Sequence, residues 1–152
     1  MQKQKGMMIG IVFLSVALIA SFSQAAGEQK MVFKAGPAGK GAHVEAVIKD
    51  AGQDQKEITI EFKGLKPNAV YTVWLVNMNP QMDMIGVGSG DYSFKSDDKG
   101  NGHYTATVST AELRKWQMLE IVHHPDGDPK NMKKMGVVFK ADLKSKAKKG
   151  KS

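Results

Sequence analysis

From residue 57 to residue 63 the chain alternates strictly. Ile58, Ile60 and Phe62 fall on one side, with Glu57, Thr59, Glu61 and Lys63 on the other. A period of two is strand periodicity, and one dry face with one wet face is what an antiparallel sheet presents. Residues 43–49 repeat the pattern, setting Val44, Ala46 and Ile48 against His43, Glu45, Val47 and Lys49. Residues 31–34 (Met-Val-Phe-Lys) begin the fold, and the stretches 37–41 and 51–55 are turns rich in Gly, Pro and polar residues. Residues 70–78 (VYTVWLVNM) are apolar on both faces and predict a central strand covered on both sides. Tyr92 and Phe94 are expected to share a face of a short strand, and the turn-dense run 96–102 joins it to a strand at 103–108. Ser109 and Glu112 have capping-box spacing, which predicts a helical turn or two over 109–116. Two apolar strands follow, at 118–123 and 136–143, separated by a polar loop at 125–134.

About eight short strands at this spacing predict an all-β fold: a single antiparallel immunoglobulin-like or Greek-key β-sandwich with one short helix. No internal repeat is visible. The segment 62–73 (FKGLKPNAVYTV) carries Leu65, Pro67, Tyr71 and Val73 at the spacing of a tyrosine corner. It resembles that feature of fibronectin type III and related immunoglobulin-like sandwiches. The resemblance implies that Leu65 packs beneath the corner and that the Tyr71 hydroxyl bonds back to the turn, satisfying a backbone group freed where the chain changes sheets. The same Gly-Leu-x-Pro turn is similar to that of the copper-zinc superoxide dismutase type of sandwich. That family places metal-binding histidines on the next strand, where this chain has Trp74-Leu75-Val76. Dismutase chemistry is therefore not implied.

The ends of the 152-residue chain change the picture of its charge. Residues 1–25 read as a signal peptide: Lys3 and Lys5, an uncharged apolar stretch at 7–20, then Ser23-Gln24-Ala25 with small residues where signal peptidase needs them. The competing reading is a retained anchor, but the strongly apolar part has 14 residues, short of the roughly 20 a spanning helix needs. Cleavage leaves no transmembrane segment and places the protein in the periplasm or outside the cell. The absence of cysteine excludes a lipoprotein anchor, a thiolate metal site and a cysteine nucleophile, and it suits an oxidising compartment.

Residues 144–152 carry Lys144, Lys146, Lys148, Lys149 and Lys151 and no acid. This tail is expected to be disordered, with at most a weak contact to an anionic surface such as lipid head groups or acidic polysaccharide. The intervening domain, residues 26–143, holds 15 bases and 15 acids, so the formal net charge of +7 belongs to the ends. A neutral fold is not a phosphate-neutralising one, and no sequence-specific nucleic-acid binding is expected.

Candidate chemistry is sparse. Met78, Met82 and Met84 cluster on one connection, and His123 and His124 end a strand with Met132 and Met135 following. Thioethers and imidazole suit copper, Cu(I) above all. Methionine also fills irregular core gaps, and adjacent histidines on a strand point to opposite faces. The acidic loops at 97–101 and 126–131 lack the ligand series of a helix–loop–helix calcium site. The run 86–90 (GVGSG) misplaces its serine for a hydrolase elbow. No enzyme and no obligatory cofactor are expected. The expected function is that of an exported binding or structural module of the cell envelope, contacting an envelope protein or glycan through the loops at 79–90 and 123–135. The alternative is a periplasmic copper-handling protein using Met78, Met82, Met84, His123 and His124.

Overall fold

The computed structural model describes residues 27–144. The expected leader and the tail beyond Lys144 lie outside the described residues. The elements are β1 (Gln29–Met31), β2 (Phe33–Ala35), β3 (His43–Asp50), β4 (Gln55–Lys63), β5 (Val70–Asn77), β6 (Asp83–Gly86), β7 (Ser93–Lys95), β8 (Gly102–Ser109), α1 (Thr110–Lys115), β9 (Met118–His124) and β10 (Gly136–Asp142). One sheet has the order β1-β3-β4-β8, and the other β2-β10-β9-β5-β6 with β7 also paired to β5. Every pairing is antiparallel. Two of the chain's passages between sheets run from β4 to β5 and from β8 to β9. The strands it leaves, β4 and β8, are neighbours, as are the strands it enters, β5 and β9. The result is an all-β sandwich of two antiparallel sheets.

The predicted dry faces meet in one core. Ala46, Ile48, Ile58, Ile60 and Phe62 from β3 and β4 pack against Tyr71, Val73, Leu75, Leu119, Ile121 and Phe139 from the opposite sheet. The strand count rises from the expected eight to ten for two reasons. The stretch 31–34 is two strands: the chain steps between sheets at Val32, which is 84 % exposed, leaving Met31 paired to β3 and Phe33 to β10. The second addition, β6, lies inside what the sequence suggests is a long loop, with Met84 and Gly86 in register with Val76 and Trp74.

A third correction concerns Tyr92 and Phe94. Phe94 faces inward and stacks on Phe62 and Tyr71, whereas Tyr92 packs edge-on against Trp74, which projects from β5 on the side away from the core. Tyr92 has φ +61, and one residue in the left-handed region breaks the alternation that would have put the two rings on one face.

At the β4–β5 crossing the Tyr71 hydroxyl accepts the Lys66 N–H at 3.1 Å, above the buried Leu65. Pro67 is exposed. The β8–β9 crossing is made by α1, whose first turn is capped by Ser109 Oγ accepting the Glu112 N–H at 3.1 Å. Replacing Tyr71 by phenylalanine strands the Lys66 N–H while keeping the ring. The expected cost is about 1–2 kcal/mol in urea unfolding. An unchanged midpoint would show that the hydroxyl is dispensable to the corner. No helix among the described residues is long and apolar enough to cross a membrane.

Candidate functional site

Strand β5 is buried on both faces, as its apolar sequence predicts. Tyr71, Val73 and Leu75 face the core, and Thr72, Trp74 and Val76 face outward. Across this outer face Thr72 stands beside Val122 of β9, Trp74 between Glu120 of β9 and Gly86 of β6, and Val76 between Met118 and Met84. Over it lies an open depression of about 660 Å³ lined by Trp74, by Gly90, Asp91 and Tyr92 from one connection, and by Pro129, Lys130 and Met132 from another. The two loops named from the sequence thus contribute to one cavity, the first through residues at and just beyond its expected end.

The walls are set by specific contacts. Trp74 is half-buried, and its indole N–H donates to Thr72 Oγ1 at 2.7 Å. The hydroxyl in turn lies 2.8 Å from His124 Nε2. Donation from the hydroxyl to Nε2 satisfies all three groups and leaves the imidazole proton on Nδ1. Nδ1 is the buried side-chain polar atom without a hydrogen-bond partner among the described residues. Thr72 is 0 % exposed and His124 1 %. A sealed polar relay therefore pins the indole from beneath.

Tyr92 crosses Trp74 at 64° with ring centroids 5.6 Å apart. Its ring lies flat on Gly86, where a Cβ would meet the ring carbons at 1.9–2.2 Å. The backbone around it is tied to β5, since Val73 N–H donates to Tyr92 O and Val87 N–H to Val73 O. Val87 is buried, so the glycine-rich run 86–90 is anchored at its centre. The Tyr104 hydroxyl donates to Val87 O. Burial first, then the Asp91 carboxylate and Tyr92, push the Tyr104 hydroxyl up to about 12, so it stays a donor. At the rim, Asp91 Oδ1 accepts from the Ser93 hydroxyl and from the Ser93 N–H. The hydroxyl first and the N–H second hold that carboxyl below its usual range, keeping it ionised. Glu120, beside Trp74, is raised by burial, with Lys140 opposing.

The metal candidates are dispersed. His123 and His124 do face opposite ways: His123 packs against Tyr71 with ring centroids 5.1 Å apart and planes tilted by 37°, and His124 bonds Thr72 on the outer face. Met84 shares that outer face, but it is level with Val76, whereas His124 is level with Val70. Six residues of strand separate the two levels, about 20 Å. Met78 and Met82 flank the β5–β6 turn, 48 % and 61 % exposed. No group of three or more His, Asp or Glu side chains gathers at ion-binding spacing among the described residues. Both acidic loops spend their carboxylates locally. Asp97 accepts from the backbone N–H groups of Lys99 and Asn101, and Asp126 from Asp128 N–H and the Asn131 amide.

His123 carries a pH consequence. Burial first, then the charges of Lys66 and His124, hold its pKa below the ordinary 6.5. The unfolded chain therefore takes up a proton that the native ring refuses. Stability is full above about pH 6.5 and declines as pH falls toward the depressed native value, where this contribution levels off. In thermal melts from pH 7.5 to 5, His123→Gln is expected to flatten that slope. A slope identical to the wild type's would assign it to other groups.

Trp74, Asp91 and Tyr92 were not singled out as site residues from the sequence. The available signal was Trp74 itself, a large amphipathic ring on the opposite face of the strand from Tyr71, Val73 and Leu75. A comparison with protein-family models finds no match for the chain, and a comparison with curated proteins finds none either.

Proposed function

We propose that the protein is an exported, non-catalytic β-sandwich that acts as a binding module at the cell envelope, with the Trp74 depression as its contact surface. Tyr92 carries this reading. A bulky residue in the left-handed region costs about 1–3 kcal/mol, and such strain persists where the surroundings over-determine it, as at active sites, ligand clamps and switch regions. Here the strained ring is turned against a glycine and across an indole, and together they form a two-sided aromatic corner that opens outward. Aromatic walls with a few polar groups at the rim are the usual make-up of a recognition pocket.

The test is retention of the purified mature protein on a washed cell-envelope fraction. Trp74→Ala should abolish retention at physiological salt, while deletion of residues 145–152 should remove only the salt-sensitive part. Full retention by Trp74→Ala would discard this surface. Export is checked separately by mass spectrometry, with a mature N-terminus at Ala26 expected.

A second reading is favoured by one observation: Met78 and Met82 are both exposed on one hairpin whose next outward residue is Met84. A thioether set of this kind takes Cu(I) without histidine. Anaerobic titration against a competing Cu(I) chelator should then show stoichiometric uptake that is lost in Met82→Leu/Met84→Leu, and the absence of uptake ends that reading.

A further inference from the structure

Resting on the reading of the Trp74 depression as a contact surface, we infer that its ligand is a neutral glycan. One pyranose ring would lie on the indole face, with its hydroxyls reaching Asp91 and Lys130. The argument is complementarity of chemistry. A pyranose is an amphipathic disc: its axial C–H groups form an apolar face and its hydroxyls a polar rim. The depression repeats that division. Trp74, Tyr92, Pro129 and Met132 supply apolar surface, and Asp91 and Lys130 stand beside it with opposite charges. Aromatic faces carry negative charge that attracts polarised C–H groups. Asp91 Oδ1 is occupied by Ser93, and Oδ2 has no protein partner among the described residues, so one oxygen is available to accept from a hydroxyl. The Lys130 ammonium supplies donors.

Other ligand classes fit worse. An alkyl chain offers nothing to Asp91 Oδ2 or the Lys130 ammonium, which is costly where it excludes water from them. An anionic ligand meets the Asp91 carboxylate, and a cationic one meets Lys130. A neutral polyol engages both. The volume of about 660 Å³ lies within the roughly 300–1,000 Å³ of small-ligand sites. The depression is open, which suits an internal stretch of a chain rather than a sequestered monomer.

The orientation of the indole is part of the site. Because its N–H is held inward by Thr72, the ring is restrained from rotating, and the order of the stacking wall is already established before a ligand arrives. Preorganisation of this kind lowers the entropic cost of binding.

The experiment titrates the full mature protein with three neutral hexasaccharides: chitohexaose, cellohexaose and maltohexaose. Tryptophan fluorescence and calorimetry are the readouts. At least one is expected to give a saturable fluorescence change with the wild type and a calorimetric affinity that Trp74→Ala weakens about tenfold or more. Lys130→Ala, an exposed change with no bearing on folding, should weaken it several-fold. Binding of de-acetylated, cationic chitohexaose tighter than that of the neutral form would overturn the inference. So would the absence of saturation by all three neutral hexamers while Trp74→Ala still abolishes envelope retention, an outcome that keeps the binding module and removes the glycan. Retention unaffected by Trp74→Ala removes both.

Discussion

Thr72→Val is expected to destabilise the domain by about 2–4 kcal/mol despite being nearly isosteric, and to free the indole of Trp74. Thr72 is fully buried, and its hydroxyl serves two ring nitrogens, Trp74 Nε1 at 2.7 Å and His124 Nε2 at 2.8 Å. Valine fills the same space and offers neither. His124, already lacking a partner at Nδ1, would then be buried with no hydrogen bond at either nitrogen, and each such stranded group costs about 1–3 kcal/mol. Trp74 is half-exposed and recovers part of its loss from water. Intrinsic strand preference works the other way, since valine is at least as good as threonine in a sheet, so a destabilising result cannot come from propensity. Thr72→Ser supplies the control: it keeps the hydroxyl and loses one methyl. Denaturant unfolding should rank wild type first, serine next and valine well below, with valine alone shifting tryptophan emission to the red. Valine equal to or better than serine would falsify the relay.

The relay also shows why this part of the site was hard to read from sequence. Thr72 and Trp74 sit in a run whose apolar character predicts double coverage, and β5 is covered on both faces. What period-two reasoning does not tell is which outward residues bond one another. His124 reaches Thr72 from 52 positions away in sequence, and the pairing of Val70 with His124 that brings them together is set by sheet order. The inward face of β4 was legible because Ile58, Ile60 and Phe62 tolerate only one face, and a one-residue slip would expose all three.

Short elements were less legible for a physical reason. Neither β1 nor β2 is long enough to show a period, so the change of sheet at Val32 leaves no pattern to find. In β6 the outward residues are Met84 and Gly86, one of which has no side chain. Residues 87–90 are loop, but Gly86 ends β6 and is the floor beneath Tyr92. The methionines illustrate the opposite case. Their clustering in sequence is real, yet the strand register that sets Met84 beside Val76 also sets His124 about six residues away along the sheet. The methionines stay together on one hairpin, while the histidine lies toward the opposite end of β5.

Gly86→Ala is the second large effect, and a double-mutant cycle decides its cause. A methyl at Gly86 would lie 1.9, 2.1 and 2.2 Å from three carbons of the Tyr92 ring, closer than any real contact. The β6 backbone is held by its pairing with Trp74 and Leu75, so the ring is what must move. Its departure removes the aromatic contact with Trp74, worth about 0.5–1.5 kcal/mol beyond the apolar area it covers. The overall loss is expected at about 1–3 kcal/mol, together with loss of one wall of the depression and hence of envelope retention. In a Tyr92→Gly background the same substitution should reverse sign. With no ring to displace, alanine is the better strand residue by roughly 0.5–1 kcal/mol, and glycine at position 92 also relieves the strain of φ +61. The coupling between positions 86 and 92 should therefore be large and of one sign, as for residues in direct contact. If Gly86→Ala is equally destabilising in both backgrounds, the glycine is required by the β6 backbone itself. The close fit of ring to glycine would then be incidental, and the case for a purpose-built aromatic corner would lose its main support.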